Sequence, residues 1–170
     1  MITYRLALRA ELAQLKTFLF EHGPNPWNHL PVDGIDYEFD LIAQEKASAL
    51  MTVDDHKLVG FAIFYHPQIL PKKYLQYSGS QSAIYIAEAV VHEHYAGQGI
   101  GHKLLSLIID RAPALGASML LIDRHEENLA SAGMMRKAGF EILKTFLDLD
   151  RRDYGSRKTT VLSFQVKACQ

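Results

Sequence analysis

The sequence predicts a single mixed α/β domain over residues 1–170, and three observations carry that prediction. Segments with strand-like alternation and segments with helical spacing take turns along the chain. No linker, internal repeat or low-complexity tract divides it. A strand of mostly apolar residues, Ile84 to Val91, runs into a glycine-rich turn that opens a helix. At 170 residues with 48% apolar content, one domain can bury a core of its own without a metal or disulfide staple.

The elements follow in order. Ile2 to Leu8 alternates and is rich in β formers, so it reads as a strand. Leu12, Leu15, Phe18 and Leu19 stand at helical spacing within Arg9 to Phe20, and Gly23-Pro24 closes that helix. Three prolines (Pro24, Pro26, Pro31) make Asn25 to Gly34 a loop, and Tyr37 to Gln44 a second helix. Ser48 to Val53 and Lys57 to Tyr65 form a hairpin around Asp54-Asp55-His56. Residues 66–82, with two prolines and a Ser/Gln cluster, read as a long loop. After the strand Ile84 to Val91 comes a helix, Gly99 to Ala112, with Ile100, Leu104 and Ile108 on one stripe and Pro113 ending it. Ser118 to Asp123 is a buried strand. Asn128 to Ala138 is a helix closed by Gly139, with Arg136 and Lys137 in its last turn, where cations suit the dipole. Phe140 to Leu149 and Thr159 to Lys167 are the closing strands, around a charged loop.

Composition removes several function classes. Eighteen Lys and Arg against nineteen Asp and Glu give no general pull toward nucleic acid or an anionic membrane. Apolar runs such as Leu104 to Ile109, interrupted by Ser106, fall far short of the roughly 20 residues of a membrane span. The segment MITYRLALRAELAQ has no apolar stretch of a secretory signal, so a reduced cytoplasmic setting is expected. The one cysteine, Cys169, allows neither a disulfide framework nor a Cys-rich zinc site. His92 and His94 share a face of an extended chain, but no third ligand stands at a suitable spacing, so no metal is expected.

The chemistry concentrates in Val90-Val91-His92-Glu93-His94-Tyr95-Ala96-Gly97-Gln98-Gly99-Ile100-Gly101-His102. Glycines at alternate positions permit positive φ and close approach of a ligand to the backbone. Free N–H groups at the following helix start, with the dipole behind them, suit phosphate oxygens. A glycine-rich turn without a ligand shares this pattern. No Gly-Lys-Ser/Thr follows, and the glycine spacing is not that of a dinucleotide fingerprint.

Tyr95-Ala96-Gly97-Gln98-Gly99-Ile100-Gly101 between a strand and an amphipathic helix resembles the acyl-CoA signature of the GNAT N-acetyltransferase superfamily. Asp123 at the end of the next strand, with Asn128-x-x-Ser131-x-x-Met134-Met135-x-x-x-Gly139-Phe140, resembles the second half of the family pattern. The resemblance implies a central mixed, mostly antiparallel sheet, splayed mid-sheet and flanked by about four helices. It implies an acetyl-CoA-dependent N-acetyltransferase, with acetyl-CoA as cosubstrate and a small-molecule or peptide amine as acceptor. By the same resemblance the backbone of Ala96, Gly97, Gln98, Gly99, Ile100, Gly101 and His102 cradles the pyrophosphate. Ala89, Val90 and Val91 would bond the pantetheine arm, Asn128 and Ser131 would contribute to the cofactor site, and a homodimer is compatible with the family.

Two departures matter. The family motif usually begins with Arg or Gln where this chain has Ala96, which removes a side-chain contact and leaves the backbone cradle. Met135 stands where many members carry a Tyr that protonates the departing thiolate, so that role falls to water or to Tyr95 or Tyr154. A thiol pKa near 8.5 puts the thiolate only about 2 kcal/mol from its protonated form at pH 7.

Glu88 is the expected general base. On a regular strand it shares a face with Ile84, Ile86 and Val90, and apolar company raises a carboxyl pKa toward the range useful for accepting an amine proton. A structural ion pair, for instance with Arg124, is the alternative. Asp123 is the second candidate base; a strand-end or helix-capping role competes with it, as an N-cap role competes for Asn128. Asp33, Asp36, Glu38 and Asp40 could attract a cationic acceptor or form the solvated face of a helix. A non-catalytic acyl-CoA sensor and a generic nucleotide-binding domain are the competing readings.

Overall fold

A computed structural model describes residues 1–28 and 30–167; the expectation about Cys169 lies outside the described residues. The chain runs β1 (Ile2–Leu6), α1 (Leu12–His22), α2 (Val32–Ala43), β2 (Ala47–Asp54), β3 (Lys57–Tyr65), α3 (Leu75–Ser78), β4 (Ala83–Val91), α4 (Ile100–Arg111), β5 (Met119–His125), α5 (Leu129–Lys137), β6 (Glu141–Leu147) and β7 (Lys158–Gln165). The strands form one seven-stranded sheet in the order β1-β2-β3-β4-β5-β7-β6. Among the described residues only β4 and β5 pair in parallel, and the other ladders are antiparallel.

Side-chain alternation divides the core into two layers. On one face Leu15, Phe18 and Leu19 of α1 and Ile35 and Phe39 of α2 pack on Met51, Phe61, Ile63 and Tyr85. On the other, Ile100, Leu104, Leu105 and Ile108 of α4 and Met135 of α5 cover Leu50, Phe64, Ile84, Ile86, Leu120, Ile122 and Leu162. The expected stripe of α4 is therefore the buried one. The four flanking helices are α1, α2, α4 and α5; α3 adds a single turn.

Two local readings need correction. The second helix starts at Val32 rather than Tyr37, because Pro31 at its N-terminus supplies the extended φ and ψ of a cap, and Gly34 is tolerated in the first turn. Residues 66–82 are not a structureless loop. They fold into 3-10 turns at Pro67–Ile69 and Lys72–Tyr74 followed by α3. Tyr74, only 1% exposed, ties this segment to the core. The hairpin at Asp54-Asp55-His56 holds, with Asp55 and His56 at φ of 44° and 71°, the backbone a tight hairpin turn requires.

What positions the site is the partial pairing of β4 with β5. The ladder covers Ala83–Ile86 against Met119–Ile122 and stops. Beyond it β4 keeps β3 as its partner and β5 keeps β7, so the two strands part and leave a cleft between their C-terminal ends. The expected mid-sheet splay is this separation.

Candidate active site

The cleft has a backbone-built half and a side-chain-built half. In the first, Gly97 and Gly99 take φ of 77° and 78°, and a Cβ on either would meet open space. Conformation, not crowding, requires glycine at both. Gly101 is different: a Cβ there would lie 2.5 Å from Met134 Sδ, so this glycine lets α4 and α5 approach each other. Gly99 is the left-handed N-cap of α4 and offers no side-chain cap, and the N–H groups from Gly97 to His102 find no backbone acceptor among the described residues. Free donors in succession, at the positive end of a helix, form an anion cradle. A groove of about 650 Å³ connects this turn with Ala89, Val91, Ser131 and Met134. Ala89, Ser131 and Met134 also line the cleft, so groove and cleft are continuous. Val90 sits apart, its side chain buried in the opposite core layer.

The second half depends on a register slip. Ile63 pairs with Glu88 but Phe64 pairs with Ile86, which leaves a bulge at Ala87. Before the bulge Ile84 and Ile86 face α4; after it Ala89 and Val91 do. Glu88 therefore shares the α2 face with Val90 and Tyr85, and the regular-strand expectation that Ile84 and Ile86 accompany it is overturned. Its neighbours are polar: Glu38 at hydrogen-bond range, then Arg151 and Arg152. Arg124 is not its partner. That guanidinium donates to the carbonyls of His125 and Glu126 at 3.2 and 2.7 Å.

Glu38 reaches this place because it lies on the same helical stripe as Ile35, Phe39 and Ile42. Asp33 and Asp40 are exposed, and Asp36 pairs with Lys16 across the α1–α2 surface, so these three form the solvated face and only Glu38 points inward. Burial raises the Glu38 pKa to about 7, although Glu88, Tyr65 and Arg151 each pull it down. Glu88 rises well above the ordinary range, first through burial and then through the charge of Glu38. Burial also raises the Tyr65 and Tyr85 hydroxyls.

Asp123, at the far wall, is saturated with donors. Arg151 grips it in a two-point pair, Nη1 to Oδ2 at 2.9 Å and Nη2 to Oδ1 at 3.1 Å. Tyr85 donates to Oδ2 at 2.9 Å and Tyr74 donates to the same oxygen. Burial works against the Arg151 charge, but Asp123, Tyr85 and Asp148 together more than offset it and the guanidinium pKa ends above its ordinary value. Arg152 stands 3.7 Å from Asp123 and donates through Nε to Thr159 at 2.8 Å.

Asn128 lines the cleft and caps α5, its side-chain oxygen accepting from the Ser131 N–H at 3.2 Å. Met135 is buried beneath the cleft floor and carries no proton to give. Of the two tyrosines expected to stand in for it, Tyr95 lines the groove beside the turn and donates to Asp54 at 3.0 Å, and Tyr154 packs its ring on Trp27. His92 and His94 lie with ring centroids 4.9 Å apart, and His92 Nδ1 accepts the His94 N–H. No group of three or more possible metal ligands converges among the described residues. Among the same residues no helix is long and apolar enough to cross a membrane.

Arg151, Tyr74, Tyr85 and Tyr65 were not singled out from the sequence. They come from segments far apart in the chain, and no spacing links them. Glu38 did carry a signal, since it falls on the apolar stripe of its helix.

Known proteins place this architecture. The sequence profile of the acetyltransferase (GNAT) family matches residues 11–140. The chain belongs to that family. It is 28% identical over 119 residues to the L-methionine sulfoximine/L-methionine sulfone acetyltransferases of Pseudomonas paraeruginosa and Pseudomonas aeruginosa. That match covers 68% of this chain and spans 64% of the length of those relatives. Among solved structures, the yncA protein of Salmonella typhimurium with its cofactor acetyl-CoA superimposes with a TM-score of 0.74 at 20% identity, over 98% of this chain and 94% of that one. The Drosophila melanogaster polyamine N-acetyltransferase does so with a TM-score of 0.74 at 15% identity, over 97% and 100%. These similarities confirm the GNAT fold that the two motifs implied.

Proposed function

We propose that the protein transfers the acetyl group of acetyl-CoA to a small primary amine by direct attack. The observation that carries this reading is the parting of β4 and β5 beyond Ile86 and Ile122, which opens a cleft onto the free N–H groups of Gly97 to His102. Those donors hold the pyrophosphate oxygens; Ala96 adds none, because its N–H donates to the Glu93 carbonyl at 3.1 Å. The β4 edge from Ala89 to Val91 has no strand partner on the β5 side and receives the pantetheine arm. Asn128 and Ser131 form the opposite rim.

Glu88 lines the cleft and takes the amine proton, directly or through a water, as the new C–N bond forms. A β4 backbone N–H near Val90 stabilises the oxyanion, and the C–S bond then breaks to release CoA. Asp123 holds Arg151 and the two tyrosines in place and has no oxygen free of a donor, so the proton-accepting role goes to Glu88 alone. For the acceptor, the relatives named for methionine sulfoximine and sulfone suggest a small amino-acid-type amine. Arg124, whose buried Nε has no partner among the described residues and which lines the cleft, is the cation that would meet its carboxylate. A non-catalytic acyl-CoA sensor would account for the turn but leaves Glu88 without a task.

Thermal shifts with acetyl-CoA, CoA, ATP and NAD test the cradle, and a panel of amines with and without a carboxylate tests the chemistry. The reading expects stabilisation by acetyl-CoA and CoA alone, then CoA release with an amine. The Glu88→Gln variant should lose about 10²-fold or more in kcat. Binding without release on every amine, or full turnover in Glu88→Gln from pH 6 to pH 9, would overturn it.

A further inference from the structure

Glu38 has no task in the reaction just described, yet it is the one acid of α2 turned inward. Its Oε2 is buried with no donor at good hydrogen-bond geometry among the described residues. The group it faces is Glu88, delivered to the α2 side by the bulge at Ala87. Two carboxylates in contact offer each other only acceptors, so the contact is favourable when one proton lies between them.

We infer that Glu38 is a positioning residue for the proposed acetyl transfer, sharing one proton with Glu88 and holding the proton-accepting carboxyl against the cleft. The inference rests on the acetyltransferase reading for its purpose but not for its test. The other groups around the pair are Tyr65 from β3, Tyr85 from β4, Asp123 from β5, and Arg151 and Arg152 from the β6–β7 loop. Arg151 is committed to Asp123 and Arg152 donates to Thr159, so among the described residues neither carboxylate has an ion-pair partner, and the shared proton leaves the pair with one negative charge in place of two. During the reaction the amine proton passes to Glu88 while the shared proton passes fully to Glu38. The pair goes from one proton and one negative charge to two protons and none, and the amine nitrogen is left neutral. Each carboxyl ends with one proton, so neither carries a charge.

The test is a ¹³C-carboxyl titration of glutamate-labelled protein by NMR, on the full chain without acetyl-CoA or amine. In the wild type the Glu38 and Glu88 signals should move together in two steps. In Glu38→Gln the Glu88 signal should titrate in one step, with its midpoint lower by about one pH unit. Glu88→Gln should likewise leave Glu38 titrating in a single step, and decides the matter if Glu38→Gln does not fold. A Glu88 signal with the same titration curve in the wild type and in folded Glu38→Gln would overturn the inference. Because no ligand is present, that result says nothing against acetyl transfer, and failure of acetyl transfer would leave this titration intact.

Discussion

The two halves of the cleft are built by different means. The turn from Ala96 to His102 makes its site from main chain: its donors belong to successive residues, and glycine is there for its φ. The opposite half is made of side chains brought from α2, β3, β4, the turn before α3, β5 and the β6–β7 loop. A backbone site occupies one contiguous stretch and depends little on which side chains stand there. A side-chain site depends on every element that delivers a group to it, and is as exact as the least certain of them.

That contrast can be broken by mutation, and the largest effect is expected in the side-chain half. Arg151→Ala leaves Asp123 with two tyrosines and Arg152 at 3.7 Å for its charge. We expect a loss of about 3 kcal/mol, since removing one member of a buried pair strands the other. Thermal denaturation should show a fall in Tm of about 10 °C. An unchanged Tm would mean that the tyrosines alone hold Asp123. Next comes the backbone half. Gly99→Val forces a β-branched residue to φ of 78°, at a cost of about 2 kcal/mol. Calorimetric titration should find acetyl-CoA affinity reduced at least tenfold, whereas Gln98→Ala should bind almost as the wild type does.

The smallest effect carries the most information. A carboxyl whose pKa is raised on folding loses favourable free energy as pH climbs from its unfolded value near 4.3 to its folded value, about 7 for Glu38. Glu38→Gln removes that loss. It should match the wild type near pH 4 and be the more stable protein at pH 8, by roughly 1 kcal/mol once the coupling to Glu88 is allowed for. Denaturant unfolding at the two pH values gives the comparison. Equal stability at pH 8 would mean that Glu38 meets no unfavourable charge in the folded protein.

The same division explains what could be read in advance. Strand and helix order came through because burial periodicity is local, and the glycine turn because its requirement is written in consecutive residues. Glu88 was legible as a residue but not as a neighbour, since a bulge at Ala87 leaves no mark in the sequence that periodicity can detect. The start of α2 was missed because Pro31 and Gly34 look like loop residues even where one caps the helix and the other is carried by it. Tyr74 was hidden in a polar, proline-bearing stretch whose folding depends on its burial against the sheet. Arg151 sits in a charged loop where solvated arginines are common; only the arrival of Asp123 and Tyr74 beside it distinguishes it.

One further consequence follows from the shortness of the β4–β5 ladder. The sheet consists of an antiparallel meander, β1 to β4, and a three-stranded ladder, β5 to β7, joined by the pairing of Ala83–Ile86 with Met119–Ile122. That seam is where the two parts can come apart at least cost in hydrogen bonds. A ligand lodged in the opening touches both parts and opposes their separation by mass action. Amide hydrogen exchange along the seam should therefore slow when acetyl-CoA binds, more than exchange in the outer strands, so that the cosubstrate makes one cooperative unit of two.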